Sequence, residues 1–514
     1  MEEGMLAHAF SAAIAGIDAH VVRVETDSAA GIPHFAIVGL PDRALNESRE
    51  RIRAALVNSG FGFPPGRLLA NLAPADMRKA GVGFDLAIAL ALLATDEQLA
   101  AGVLGDYVAC GELALDGSLR AVPGVLAMTL AAERAGFARI LVPEANLAEA
   151  ALVDGIDVYA VPTLCDAVAV VLGHGAKFRR RGTTVLDAGD RAVCGDFADV
   201  KGQTVAKRAL EIAAAGGHNV VLVGPPGCGK TMLARRLPSI LPAMTTAEAL
   251  DVTKVYSVAG LLGARPRVIA TRPFRAPHHT ASRASLVGGG SMPRPGEISL
   301  AQHGVLYLDE LGEFPRSTLE VLRQPLEEGT VTIARAAGTL TFPARFTLVA
   351  SMNPCPCGFR GDRGSDCRCD DTAVQKYLAK LSGPLLDRID LHVTVSRVSF
   401  DELVQTRAAD ASATIRARVE AARSRQSARL RDTGVATNAA IAPADVRSLC
   451  ALDAPTLELL GSAVSRGTLS ARAFDRVARV ARTIADLAGA ERIAREHVAE
   501  ALVYRGADRG PRLI

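Results

Sequence analysis

The feature that most constrains this chain is the run Gly224-Pro225-Pro226-Gly227-Cys228-Gly229-Lys230-Thr231, set between the Val-rich, strand-like residues 219–223 and the amphipathic residues 232–237. It matches G-x-x-x-x-G-K-[ST], in which glycines let successive backbone N–H groups turn inward on phosphates. Strand, glycine-rich loop and helix in that order specify a nucleotide-binding α/β core. Lys230 is placed to reach the β- and γ-phosphates of ATP, and Thr231 to ligate Mg2+.

Three further segments fit the same core. Residues 304–310 read as a buried strand ending in Asp309 and Glu310, one carboxylate for the metal and one to polarise the attacking water. Residues 346–350 form a strand that runs into Ser351-Met352-Asn353-Pro354, which puts the Asn353 amide at a strand's carboxyl end, where α/β sheets hold ligands. Pro384-Leu385-Leu386-Asp387-Arg388-Ile389-Asp390 sets an arginine between two acids ahead of the strand 391–395, a pattern that also fits a surface ion pair.

At 514 residues the chain needs more than one core. Residues 1–172 alternate strand-like and helix-like segments, among them strands at 19–25, 34–38, 67–72, 140–142 and 158–161 and helices at 43–58, 84–93 and 124–135. Residues 173–188, with Lys177, Arg179, Arg180 and Arg181 and no periodicity, read as an exposed linker. Residues 189–397 hold the ATPase core, and residues 398–514 turn helical at 400–431, 443–449, 454–464, 471–488 and 496–504.

Charge is nearly balanced, 58 Lys+Arg against 55 Asp+Glu, so a nucleic-acid partner requires local basic patches. One such patch is a hairpin, 330–335 and 339–342, with Arg335 at its tip. Another is the segment of Arg416, Arg418, Arg423, Arg425, Arg429 and Arg431, which serves equally as a solvated helix face. The N-terminus, with Glu2, Glu3, His8 and Asp18, is unlike a signal peptide, and the apolar run 86–94 is about half a membrane span, so a cytoplasmic protein is expected, with no membrane partner. Four of nine cysteines, Cys355, Cys357, Cys367 and Cys369, form C-x-C, nine residues, C-x-C: thiolates for a structural Zn2+, or a reduced cysteine-rich loop. The adjacent His278 and His279 are candidates for a structural role, a ligand contact or a place in a metal site.

In this order the blocks resemble the magnesium-chelatase-like AAA+ ATPases, and within them the ComM/YifB family. The likeness rests on Ile37-Val38-Gly39-Leu40-Pro41-Asp42, on PFRAPHHTAS at 273–282, on GEISLAQHGVLYLDE at 296–310 and on NPCPCGF at 353–359, together with 71–86, 199–219 and 469–487. The resemblance implies an α/β fold with an N-terminal S5-like domain of the Lon and RadA type, an AAA+ P-loop core and a C-terminal helical lid. It implies Asn353 as sensor 1, Arg388 as an arginine finger reaching a neighbouring subunit, Arg472 as the sensor 2 arginine, and Val200 and Gly202 near adenine. A ring is then expected, a hexamer, acting on branched or single-stranded DNA as a branch-migration motor in natural transformation, with the hairpin projecting into its pore. A chelatase-type subunit working through a partner, or a protein-remodelling ATPase, are the alternatives. Lon-type proteolysis is disfavoured: Lys79-Ala80-Gly81-Val82-Gly83-Phe84-Asp85 offers no serine nucleophile, and 138–150 offers no lysine base.

Overall fold

The computed structural model describes residues 6–40, 43–75, 79, 83–100, 102–181, 195–262, 268–290, 293–335, 338–362, 366–404, 410–465 and 469–505. The fold is mixed α/β, built around two large sheets and a helical region.

The first sheet has eight strands, in the order Arg179–Arg181, Asp157–Val161, Arg139–Pro143, Tyr107–Ala109, Ala7–Ala15, Asp18–Ala29, Arg67–Ala73 and His34–Val38. Its helix Asp85–Thr95 is buried along every residue, as its unbroken apolar run requires. The edge strand Arg179–Arg181 falls inside the stretch expected to be linker. It pairs antiparallel with Asp157–Val161, and Asp157 accepts ion pairs from Arg179 and Arg181, a sheet edge that a run of like charges does not announce. Residues 182–188 of that stretch lie outside the described residues.

The second sheet has five strands, ordered Phe274–Arg275, Val305–Leu308, Thr347–Met352, Val220–Val223 and Leu391–Thr394, with every neighbouring pair parallel. Val220–Val223 and Val305–Leu308 are buried throughout, which suits a parallel sheet covered on both faces. Parallel pairing brings all carboxyl ends to one edge, where loops can converge on a ligand.

Helix Thr246–Val258 joins the two parts. Met244, Ala249, Val252 and Val268 share one apolar cluster with Val108, Val122 and Met128 of the first sheet's layer, Lys254 pairs with Asp18 at 3.1 Å, and Ser257 donates to Glu149. The turn after Ala7–Ala15 also reaches across: a Cβ on Gly16 would lie 2.8 Å from the Thr341 carbonyl, so only glycine fits against that strand. Thr341 belongs to the hairpin of Thr330–Arg335 and Gly338–Pro343, paired over six positions as expected. Residues 336 and 337 and the side chain of Arg335 lie outside the described residues.

Helices Ser412–Leu430 and Ala471–Ala488 pack on helix Thr204–Gly216. The single helix expected at 400–431 is two, Phe400–Val404 and Ser412–Leu430, because the Asp196 carboxylate accepts the Ser412 N–H at 2.9 Å and fixes a new start. Arginines of the second helix make contacts within the chain, some of them while still exposed. Arg416 bonds the Ser239 carbonyl, Arg418 pairs with Glu211 and Asp410, Arg423 bonds the Ala214 carbonyl, and Arg429 grips Asp486.

Candidate active site

The loop 224–231 leaves strand Val220–Val223 and enters helix Lys230–Arg236 at the ligand edge of the parallel sheet. Gly224 is tolerated only without a side chain, since a Cβ there would meet the Val395 carbonyl at 2.1 Å. Gly227, at φ +78, faces open space where a phosphate could sit. Gln203 braces the loop from behind, donating to the carbonyls of Cys228 at 3.1 Å and Ser396 at 2.6 Å. Its neighbour Val200 is fully buried in the apolar cluster below the loop. Cys228 is buried too, and burial raises its thiol above the ordinary range.

The Lys230 ammonium folds back over the loop, donating to the carbonyls of Gly224 at 2.6 Å and Pro225 at 2.9 Å and to Asn353 Oδ1 at 3.2 Å. Burial lowers its pKa below the ordinary lysine value, with Cys228 and Asp309 acting in the opposite direction. Thr231 Oγ1 donates to Asp309 Oδ2 at 2.9 Å. That spacing is about the edge of an octahedron with metal–oxygen bonds of about 2.0–2.1 Å, so the pair fits Mg2+. Ser351 donates to the other Asp309 oxygen, while Tyr307 OH reaches Thr231 at 3.3 Å and Ser351 at 3.1 Å. Burial would raise the Asp309 carboxyl, but the hydrogen bonds from Ser351, Tyr307 and Thr231 outweigh it and hold the group below the usual range. Asp309 therefore stays anionic, as a metal-facing carboxylate must.

Glu310 sits at φ +53, a left-handed conformation that costs a non-glycine residue roughly 1–2 kcal/mol. The Glu310 N–H, bonded to Asp309 Oδ1 at 3.1 Å and Ser351 Oγ at 3.4 Å, holds this turn. Its carboxylate lies 3.5 Å from His279 Nδ1, and His279 stacks on His278 with ring centroids 4.1 Å apart. His278 is occupied by Thr280 at 2.9 Å. Of the two histidines, His279 is the one in the site.

Lys230, Thr231, Asp309, Glu310 and Asn353 thus converge. Were MgATP bound here, the γ-phosphoryl group would be the electrophile, Lys230 and the loop could hold its phosphates, and Thr231 and Asp309 could hold the metal. Glu310 stands at the edge with its carboxylate beside His279, where it could orient water, and Asn353 touches Lys230.

Arg388 and Arg472 are elsewhere. The Arg388 carbonyl accepts from Asn219 Nδ2 at 3.0 Å, at the amino end of the strand whose carboxyl end carries the loop. Five residue steps along the strand, about 17 Å, separate Asn219 from Gly224. The Arg388 guanidinium bonds Glu327 and the Pro384 carbonyl, and its Nε has no partner among the described residues. Arg472 is exposed and pairs with Asp387 at 3.3 Å, beside Arg388. Both arginines occupy the edge of the sheet opposite their own phosphate loop.

Tyr307, Ser351 and Gln203 were not singled out as site residues from sequence. Their one signal is polarity at otherwise apolar or tightly turned positions next to the loop and the acidic strand end. The four cysteines come together, with all four Sγ atoms within 4.8 Å of one another.

Known proteins resemble this chain over nearly its whole length. Family descriptions match in three blocks: "Subunit ChlI of Mg-chelatase" over residues 24–146, "Magnesium chelatase, subunit ChlI" over 196–403 and "Magnesium chelatase, subunit ChlI C-terminal" over 409–505. An uncharacterised Mycobacterium tuberculosis protein is 45% identical over 97% of this chain and 98% of its own. YifB of Escherichia coli is 42% identical over 96% of both chains. Competence protein ComM of Haemophilus influenzae is 42% identical over 97% of both.

Proposed function

The chain belongs to the family of YifB and competence protein ComM and is an AAA+-like ATPase of the ChlI type, and from that membership we propose that it works as a ring-shaped DNA motor, a branch-migration helicase in recombination of the kind natural transformation uses. The observation that carries the ring is the position of Arg388 and Arg472. A chain that displays two arginines at the edge of the sheet far from its own phosphate loop can complete a neighbour's loop when the two faces meet. An arginine supplied by a neighbour can raise turnover by about 10^3–10^5 through transition-state charge stabilisation. Closed rings are the economical way to give every subunit such a neighbour.

Nucleic acid is the track this reading favours. The hairpin Thr330–Pro343 stands beside the nucleotide-sensing strand, and the Gly16 turn of the first sheet braces it. We read residues 7–181 as an S5-like domain guiding that track and the helices from Ser412 to Val503 as the lid. The helical arginines Arg416 to Arg429 are spent on contacts within the chain, so DNA contact falls to the hairpin and the ring's inner surface.

ATP hydrolysis measured with and without a four-way DNA junction tests the reading. Turnover should rise several-fold with the junction, fall steeply with added salt as phosphate contacts are screened, and vanish in Lys230→Ala. A junction that neither binds nor raises turnover at low salt would overturn the DNA motor in favour of a chelatase-type subunit acting through a partner protein.

A further inference from the structure

Between Asn353 and helix Asp371–Leu378 the chain makes a long excursion with no strand or helix of its own among the described residues. Its cysteines gather at its base. Cys355 Sγ lies 3.4 Å from Cys357 Sγ and 3.7 Å from Cys367 Sγ, Cys357 and Cys367 are 3.6 Å apart, and Cys369 completes a set within 4.8 Å. All are free thiols, and these separations are far beyond the ~2.05 Å of a disulfide. They match a tetrahedron of sulfurs around one ion: zinc–sulfur bonds of about 2.3 Å give edges of about 3.8 Å. The spacing is too tight to enclose a multi-iron cluster. Cys355 is fully buried, and backbone N–H groups of Phe359 and Arg368 point at the Cys357 sulfur, the second shell that anionic thiolates need.

The cluster is wedged against the ATPase site. A Cβ on Gly358 would lie 2.8 Å from Pro226 of the phosphate loop and 3.7 Å from the Asn353 side chain. At the far end of the excursion Tyr377 packs its ring on Gly312, two residues past Glu310, and its hydroxyl meets the Asn353 backbone. Lys380 adds a bond to the Gly312 carbonyl at 3.0 Å. Closing the base of the excursion therefore fixes the distance between Asn353 and Tyr377, which otherwise costs the entropy of ordering a loop of about fifteen residues.

We propose that Cys355, Cys357, Cys367 and Cys369 bind a single Zn2+ as a four-thiolate site, and that the bound ion holds Asn353 and Tyr377 in register with the phosphate loop, this second part resting on the ATPase reading of that loop. The four sulfurs ligate as thiolates, releasing their protons to solvent, and no redox step is involved. Asn353 is the group that touches the nucleotide-facing lysine; the cysteines are positioning residues.

The test starts with elemental analysis of the full chain purified without chelator. About one zinc per chain is expected, unchanged in Lys230→Ala, which separates the metal site from nucleotide binding. A zinc content near zero, with all four thiols open to alkylation in the native protein, overturns the site. The double variant Cys357→Ser/Cys367→Ser should lose zinc and at least tenfold in hydrolysis while its ATP affinity stays within about threefold. Cys369→His, which keeps four nitrogen and sulfur donors, should retain both zinc and turnover. Full turnover without zinc overturns the positioning role. If the double variant does not fold, mercurial displacement of zinc from the native protein, followed by a colorimetric zinc dye alongside turnover, gives the same two readings.

Discussion

Lys230 and Asn353 are directly bonded, the ammonium donating to the amide oxygen at 3.2 Å across the gap between two parallel strands. The contact ties the loop's lysine to the end of the neighbouring strand. Lys230→Ala should lose ATP binding by at least about 100-fold, since the lysine is the loop's one cationic side chain. Asn353→Ala should bind ATP within a few-fold of wild type yet hydrolyse it about 10–100-fold more slowly, a loss of about 1.4–2.8 kcal/mol in the transition state. Equilibrium binding of a fluorescent ATP analogue beside steady-state turnover separates the two; equal losses in both would contradict the division of labour.

Glu310 pays for a left-handed backbone with a carboxylate turned toward His279 and the loop. Glu310→Gln preserves shape and removes the charge. It should still bind ATP and should stop turning it over, visible as a stable ATP-bound complex on rapid gel filtration. Normal hydrolysis by Glu310→Gln would place the water-orienting group elsewhere.

The central sheet and the helical region were largely legible from sequence, for a physical reason: strands such as Val220–Val223 and Val305–Leu308 are apolar runs closed by glycine or acids, and helix Ala471–Ala488 has a regular apolar stripe. Strand Ala7–Ala15 was not, because alanine favours helix and the strand's fit comes from pairing with Asp18–Ala29. Helix Thr246–Val258 was also missed; two of its faces are buried, one on each sheet's layer, so it shows no single stripe. Within the site, loop and acid positions follow from local spacing. The brace of Tyr307 and Ser351, the far-edge location of Arg388 and Arg472, and the bonds of the helical arginines within the chain depend on contacts tens or hundreds of residues apart, which no local pattern encodes.

Stability should weaken in mild acid. His392 is half-buried, and that burial, with the Arg505 guanidinium adding to the effect, pushes its pKa down to about 4. An unfolded histidine titrates near 6.5, so as pH falls from about 6.5 to 4 the unfolded chain takes up a proton that the folded chain refuses. His392 then removes up to about 1.4 kcal/mol of stability per pH unit in that window, and nothing above it. Asp390, whose pKa burial would raise but the bond to His218 and the charge of Arg476 drive down, acts only below the ordinary carboxylate range. Urea unfolding at pH 7, 6 and 5 should show this slope, and His392→Gln should flatten it; an unchanged slope would assign the effect to other groups.

Asp486 anchors the helical region. It is buried and accepts from Arg429 at 2.8 Å, Asn438 at 2.8 Å and Arg482 at 3.0 Å, and Arg482 is itself fully buried. Asp486→Ala leaves two guanidinium groups uncompensated, and breaking a buried pair from one side costs about 3–5 kcal/mol. A lowered urea midpoint of that size is expected; a change below about 1 kcal/mol would mean that water replaces the carboxylate.

The shared nucleotide site is tested most directly by mixing two inactive proteins. Lys230→Ala keeps Arg388 but cannot bind ATP, and Arg388→Ala keeps an intact loop but lacks the arginine. Equal amounts co-assembled at random should place an intact loop opposite an intact arginine at about a quarter of the interfaces, restoring a corresponding share of hydrolysis. Recovered turnover in the mixture, with each protein inactive alone, is the predicted result. Mixed assemblies that form and remain inactive would contradict an active site built between subunits.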